Sequence, residues 1–171
     1  TLTNGTLTAT SYSLTNAGTV SAILAGNGAL TKSGSGTSTL SGANTFSGGT
    51  TLNAGTLAIN NNAAFGAGSM TFASNSTVSA LTNLNVTNAF AISTGVAGTF
   101  DVGTGLTLTN TGVISGLGAL VKSSAGALQL TAANTYSGGT TVNAGTVTLS
   151  GSGTLGGTSG ALTIEIGRAH V

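Results

Sequence analysis

The chain has 171 residues, enough for one domain with a sizeable core, but only 3% of them are charged, against roughly 25% in ordinary domains. A formal charge of +1 leaves no basic footprint for nucleic acid. The absence of Cys excludes disulfides and thiolate metal sites. Pro is absent too, and aliphatic residues recur at short intervals, which argues against disorder. No apolar run is long enough for a membrane-spanning helix, and the N-terminus lacks the basic-then-apolar pattern of a leader.

Taken along the chain, apolar residues come in short bursts. Leu2 and Leu7 are followed by Val20 and Ile23, then Leu57 and Ile59, Met70 and Phe72, and Phe90 and Ile92. Phe100 and Val102, Leu106 and Leu108, Leu128 and Leu130, and Val147 and Leu149 complete the series. Most pairs are spaced by two, so both side chains leave one face of an extended strand while Thr, Ser or Ala occupies the other. The nearest approach to a helix, Ala63-Ala64-Phe65, is too short. An all-β fold is expected.

Gly and Asn punctuate these strands. Gly48-Gly49 and Gly138-Gly139 precede the expected strands Thr50–Leu52 and Thr140–Val142, and Asn53-Ala54-Gly55 and Asn143-Ala144-Gly145 end them. Gly takes positive φ freely and Asn tolerates it, so these are bends of a few residues. The whole segment Gly28–Ile59 recurs, without a gap, as Gly118–Leu149. Long internal repetition signals stacked units. Short strands joined by bends then predict a parallel β-helix, with about four coils of twenty-odd residues in each ninety-residue period and about 4.8 Å of rise per coil. The missing charge fits, because like charges stacked at strand spacing repel while Thr, Ser and Asn hydrogen-bond. An antiparallel sandwich or meander is the competing arrangement.

The segments running from Leu40 to Leu57 (LSGANTFSGGTTLNAGTL) and from Ala133 to Val147 (ANTYSGGTTVNAGTV) resemble the autotransporter-associated β-strand repeat. That repeat occurs in passenger domains of type V autotransporters of Gram-negative bacteria. The second copy departs where Thr131-Ala132 stands in place of Ser-Gly. The resemblance implies a right-handed parallel β-helix over residues 1–164, acting as stalk or adhesin at the cell surface. It also implies an outer-membrane translocator barrel as partner and a parent protein longer than this chain. A leader and that barrel are not recognisable here. Residues 165–171, Glu165-Ile-Gly-Arg-Ala-His-Val171, break the composition and resemble the conceptual translation of a sequencing adapter, so a non-native tail is expected there.

The ionisable residues are Lys32, Asp101, Lys122, Glu165, Arg168 and His170. Glycoside hydrolysis needs two carboxylates across the scissile bond, and Asp101 is the one acid before the tail, expected to be a solvated residue. No catalytic, cofactor-binding or metal-binding residue is assigned, and a non-enzymatic role is expected. His170 has no partner except Glu165 nearby. Lys32 and Lys122 are repeat-equivalent and read as solvated corners. Gly151-Ser-Gly-Thr-Leu-Gly156 formally matches a dinucleotide fingerprint but reads as a turn, since no helix follows. The sequons at Asn4, Asn75 and Asn85 are expected by chance in so Thr- and Asn-rich a chain. Tyr12, Phe46 and Tyr136 are the candidate adhesive aromatics, although the equivalence of Phe46 and Tyr136 points to packing. A carbohydrate-active or carbohydrate-binding β-helix is the alternative function. Ice binding through Thr1/Thr3, Thr6/Thr8, Thr107/Thr109 and Thr146/Thr148 is a weaker one, because these pairs are unevenly spaced.

Overall fold

In a computed structural model, residues 1–157 and 160–164 are described; the tail 165–171, with Glu165, Arg168 and His170, lies outside them. Among the described residues, twenty short strands wind into a parallel solenoid of three faces, and every pairing between them is parallel. The antiparallel alternative is thereby excluded. The widest face holds eight strands: Gly18–Val20, Thr37–Leu40, Thr56–Ile59, Ser76–Ala80, Ala97–Val102, Ala119–Ser123, Thr140–Val142 and Leu162–Ile164. A second face stacks six, from Ser11–Leu14 to Ile114–Gly116. The third is divided into a pair at the N-terminal end and four strands from Leu84–Val86 to Thr146–Leu149. The expected strands Thr50–Leu52 and Thr140–Val142 both form with those bounds.

Alternation explains why these segments are strands. Thr-Leu-Ala-Ile or Ser-Thr-Val-Ser-Ala places every second side chain inward, and the coil beneath places its own inward side chain directly below. On the six-stranded face one such column runs Tyr12, Leu30, Thr50, Met70, Phe90, Ile114. On the wide face the column is Ser38, Leu57, Val78, Phe100, Lys122, Val142. Coil length varies, because the corners absorb the difference: the step from Tyr12 to Leu30 spans 18 residues and that from Phe90 to Ile114 spans 24. Phe65, Phe72, Phe90 and Phe100 meet at the middle of the stack, with centroids 5.2 to 6.2 Å apart. There the bare Cα of Gly98 makes room, since a Cβ would lie 2.8 Å from the Phe72 ring.

The two repeat copies occupy different faces. Strands Ala29–Lys32 and Thr50–Leu52 belong to the six-stranded face, whereas their counterparts Ala119–Ser123 and Thr140–Val142 belong to the wide one. Ninety residues are therefore four coils and one further face, so the second copy is turned by one side of the triangle. The faces are interchangeable hosts for the same backbone path.

Each copy also contains a strandless stretch, Ser41–Gly49 and Thr131–Gly139, held by one asparagine. Asn44 accepts from the Leu24 amide (2.9 Å) below and donates to the Ala64 carbonyl (2.7 Å) above. Asn134 does the same between the Ile114 amide (2.8 Å) and the Thr154 carbonyl (2.7 Å). Both are buried, so a side-chain amide stands in for ladder bonds that the bent backbone does not make. Next to each lies the aromatic, Phe46 or Tyr136, under a glycine of positive φ (Gly66, +66°; Gly156, +48°) whose Cβ would strike the ring.

One difference between the copies leaves a defect. Tyr136 hydroxyl and Thr140 Oγ1 share a 2.6 Å hydrogen bond. Where Phe46 replaces the tyrosine, the equivalent Thr50 Oγ1 is buried with no partner. Supplying the missing hydroxyl with Phe46→Tyr should raise the unfolding free energy by about 1 kcal/mol in a denaturant titration. The gain should vanish in a Thr50→Val background. A loss of stability in Phe46→Tyr would show that the first copy has no room for that hydroxyl.

Candidate functional site

Three of the six ionisable side chains fall within the described residues, and they define what chemistry the rod can offer. Lys32 and Lys122 are not solvated corners: both are 0% exposed. Each stands in an inward column, Lys32 between Leu14 and Leu52 and Lys122 between Phe100 and Val142. The aliphatic stem packs inward while the ammonium turns back to the corner. Lys122 Nζ donates to the carbonyls of Ser123 (2.5 Å), Ser124 (2.7 Å) and, from the coil above, Ala144 (3.5 Å). Lys32 Nζ donates to the Gly34 carbonyl. Sequence reading missed this because the acceptors are backbone groups that converge only once the corner has turned. Burial pushes both amines below the ordinary lysine value, and for Lys122 the charge of Asp101 opposes the shift.

Asp101 faces outward on the wide face, half-buried. It is not the freely solvated residue expected. Ser79 below (2.9 Å) and Ser123 above (3.1 Å), its register partners, both donate to the carboxylate, as does Ser124 (2.5 Å). Ser124 is one of two described non-glycine residues with positive φ, at +62°. Desolvation raises the Asp101 pKa, but the bonds from Ser124, Ser79 and Ser123 and the Lys122 charge outweigh it and hold the carboxyl below its ordinary range. A carboxylate so held is a weak base and a poor general acid near neutrality. Among the described residues there is no second acid with which to make a hydrolytic pair, and no group of three His, Cys, Asp or Glu lies together.

Tyr12, Phe46 and Tyr136 are buried, which corrects their candidacy as adhesive contacts and bears out the packing reading of the repeat-equivalent pair. The three sides of the triangle consume the aromatics as core. Tyr12 hydroxyl is satisfied internally, donating to the Leu7 carbonyl (2.7 Å). Gly151-Ser152 forms a turn, as expected.

The outward columns are hydroxyl-rich. One runs Thr37, Thr56, Thr77, Thr99, Val121, Thr141, Thr163, with threonine at every step but Val121. The column beside it is Thr19, Thr39, Ala58, Ser79, Asp101, Ser123, so Ala58 and Asp101 interrupt any paired threonine plane. The Thr-x-Thr pairs singled out in the sequence do not build this column: Thr107, Thr109, Thr146 and Thr148 are on the third face. A cleft of about 270 Å³ beside Asn75, Val96 and the 63% exposed Leu117 has no ionisable side chain in its lining.

Residues 30–59 and 120–149 each match the family described as the passenger-associated-transport-repeat. The two matched stretches are thirty residues each and lie ninety residues apart. Each begins on a buried strand, runs through the asparagine-held bend and ends in the strand after the Asn-Ala-Gly corner. The matches and the solenoid are consistent with an autotransporter passenger repeat. No curated protein and no solved structure shows significant similarity to the chain.

The charges make a signed pH prediction. The lysines have folded pKa values below the ordinary 10.5, so just below that value the unfolded state binds more protons and stability rises with pH. Tyr136, raised above 10.0 by burial despite its bond with Thr140, acts oppositely as pH rises through that value. Unfolding free energy should therefore increase as pH rises toward the ordinary lysine value of 10.5, and Lys32→Met with Lys122→Met should flatten the increase. Asp101 contributes stability above the ordinary carboxylate pKa that is lost as pH falls through its lower folded value. Asp101→Asn should flatten that acid limb, as read by denaturant titrations at stepped pH.

Proposed function

We propose that this chain is a non-enzymatic stalk segment of an autotransporter passenger, displayed at the cell surface and linked through the parent protein to an outer-membrane translocator barrel. The observation that carries this reading is the pair of passenger-associated-transport-repeats within an uninterrupted parallel stack. A passenger repeat implies a translocator partner and an extracellular or surface location, and the repeat family is typically non-catalytic.

The geometry supports a mechanical role. Backbone bonds run along the rod axis, so the ladder carries axial load while the side chains fill the interior. Turning the second copy by one face distributes equivalent surfaces around the axis, which suits a spacer better than a one-sided binding strip. Adhesion falls to the outward threonine and serine columns of the wide face. The buried aromatics and the lone hydrogen-bonded Asp101 weigh against the carbohydrate-active alternative. Residues 1–164 act as one β-helical unit in this reading, and 165–171 are not part of it.

The test places residues 1–164 between a secretion leader and an outer-membrane barrel and asks whether intact cells expose them. Surface labelling of cysteines installed at Thr56 and Thr77, with loss of the label after external protease, is the expected result. Retention inside the cell, in a folded state, would contradict the reading, as would cleavage of any polysaccharide in a panel offered to the purified chain.

A further inference from the structure

We propose that Asn44 and Asn134 are register locks: each fixes which residue of one coil lies over which residue of the next, in a chain whose strands could otherwise slide past one another. The need for a lock follows from the sequence. Strands such as Thr-Ser-Thr-Leu, Ser-Thr-Val-Ser-Ala and Thr-Leu-Thr-Asn alternate small polar and apolar residues with little to distinguish one outward position from another. A slip of one residue turns the apolar side outward and is forbidden. A slip of two keeps Leu over Leu and Thr over Thr and costs little. Because each coil is the template for the next, an uncorrected slip would propagate along the stack.

The two asparagines respond to a two-residue slip differently from every aliphatic column. Asn134 is bonded at once to the coil below, at the Ile114 amide, and to the coil above, at the Thr154 carbonyl, and Thr154 Oγ1 returns a bond to the Asn134 carbonyl (3.0 Å). Asn44 joins the Leu24 amide and the Ala64 carbonyl in the same way. All four partners are 20 residues from the asparagine they bond. A displaced coil would leave a buried carboxamide facing the wrong backbone groups, and a buried polar group without its partner is costly. The neighbouring Asn-Ala-Gly corner adds a steric condition. Gly145, at φ +72°, sits on the carbonyls of Gly126 and Ser124, where a Cβ would approach to 2.2 and 2.6 Å. Gly55 sits in the same way on Gly34 and Gly36. A two-residue slip would bring a side-chain-bearing residue to that seat. The asparagine thus rewards the native register and the glycine excludes its neighbours. Each repeat copy carries one such pair.

The chain has no native Cys, so disulfides can report register directly. A disulfide needs Cα atoms within about 7 Å, which in-register neighbours satisfy and residues two positions out of register do not. Val121→Cys with Thr141→Cys reports the native pairing. Val121→Cys with Asn143→Cys, and Ser123→Cys with Thr141→Cys, report the two slipped ones. Thr31→Cys with Thr51→Cys is the native reporter in the first copy, with Thr31→Cys and Asn53→Cys reporting its slip. Refolded under mild oxidant, the parent chain should give only native cross-links. Asn134→Leu should raise the slipped-to-native ratio at residues 121–143 about tenfold and leave the Thr31–Thr51 report unchanged, with Asn44→Leu doing the converse. That locality separates register control from general loss of stability. If circular dichroism shows Asn134→Leu unfolded, the milder Asn134→Asp, which keeps the acceptor for Ile114, decides the question. Native-only cross-links in a folded asparagine variant, or slippage spread equally over both copies, would overturn the proposal.

Discussion

Parallel stacking at strand spacing is the constraint on which everything else in this protein rests. Each coil lies about 4.8 Å above the last, so every side chain has a near-copy of its own position above and below it. What can be tolerated at such spacing is limited. Like charges in an outward column would repel, and the composition accordingly falls to 3% charged residues. Asp101, the one carboxylate among the described residues, is placed between serine hydroxyls above and below it. Corner backbones must also nest, which is why glycines such as Gly55 and Gly145 occupy seats where a Cβ would overlap a carbonyl of the coil beneath.

The same constraint gives asparagine its prominence. At corners away from the repeats, Asn62, Asn75 and Asn83 each accept an amide of the following coil, at Asn85, Ala97 and Thr107, over 2.8 to 2.9 Å. Inside the repeats, Asn44 and Asn134 extend this device to both neighbours at once. Where the backbone leaves the ladder to turn, a side-chain amide restores the lost bond. The rotation of the second copy by one face shows how local this grammar is. A repeat needs a coil below, a coil above and two corners, and any side of the triangle provides them.

Much of this was legible in the sequence, because the dominant signals are local. Pairs such as Met70 and Phe72 or Leu128 and Leu130 report an inward face through spacing alone, and the structure buries all four. The Gly-Gly and Asn-Ala-Gly punctuation located Thr50–Leu52 and Thr140–Val142. The lysines were misread because charge usually reports solvent, and the carbonyls that receive Lys122 are brought together only by the turn at Ser123-Ser124 and by Ala144 one coil later. The outward threonine column escaped for the complementary reason. Thr56, Thr77 and Thr99 are 21 and 22 residues apart, a spacing invisible until coil length is known, whereas Thr-x-Thr pairs are conspicuous within one strand.

The central claim is that successive coils run parallel with this register, and methyl contacts along an outward column measure it most directly. In a threonine-methyl-labelled sample, nuclear Overhauser contacts should link Thr31 to Thr51 and Thr51 to Thr71 on one face. On the wide face they should link Thr37 to Thr56, Thr56 to Thr77 and Thr77 to Thr99. Absence of these chains of contacts in the folded protein, or their replacement by contacts of antiparallel neighbours, would contradict the account.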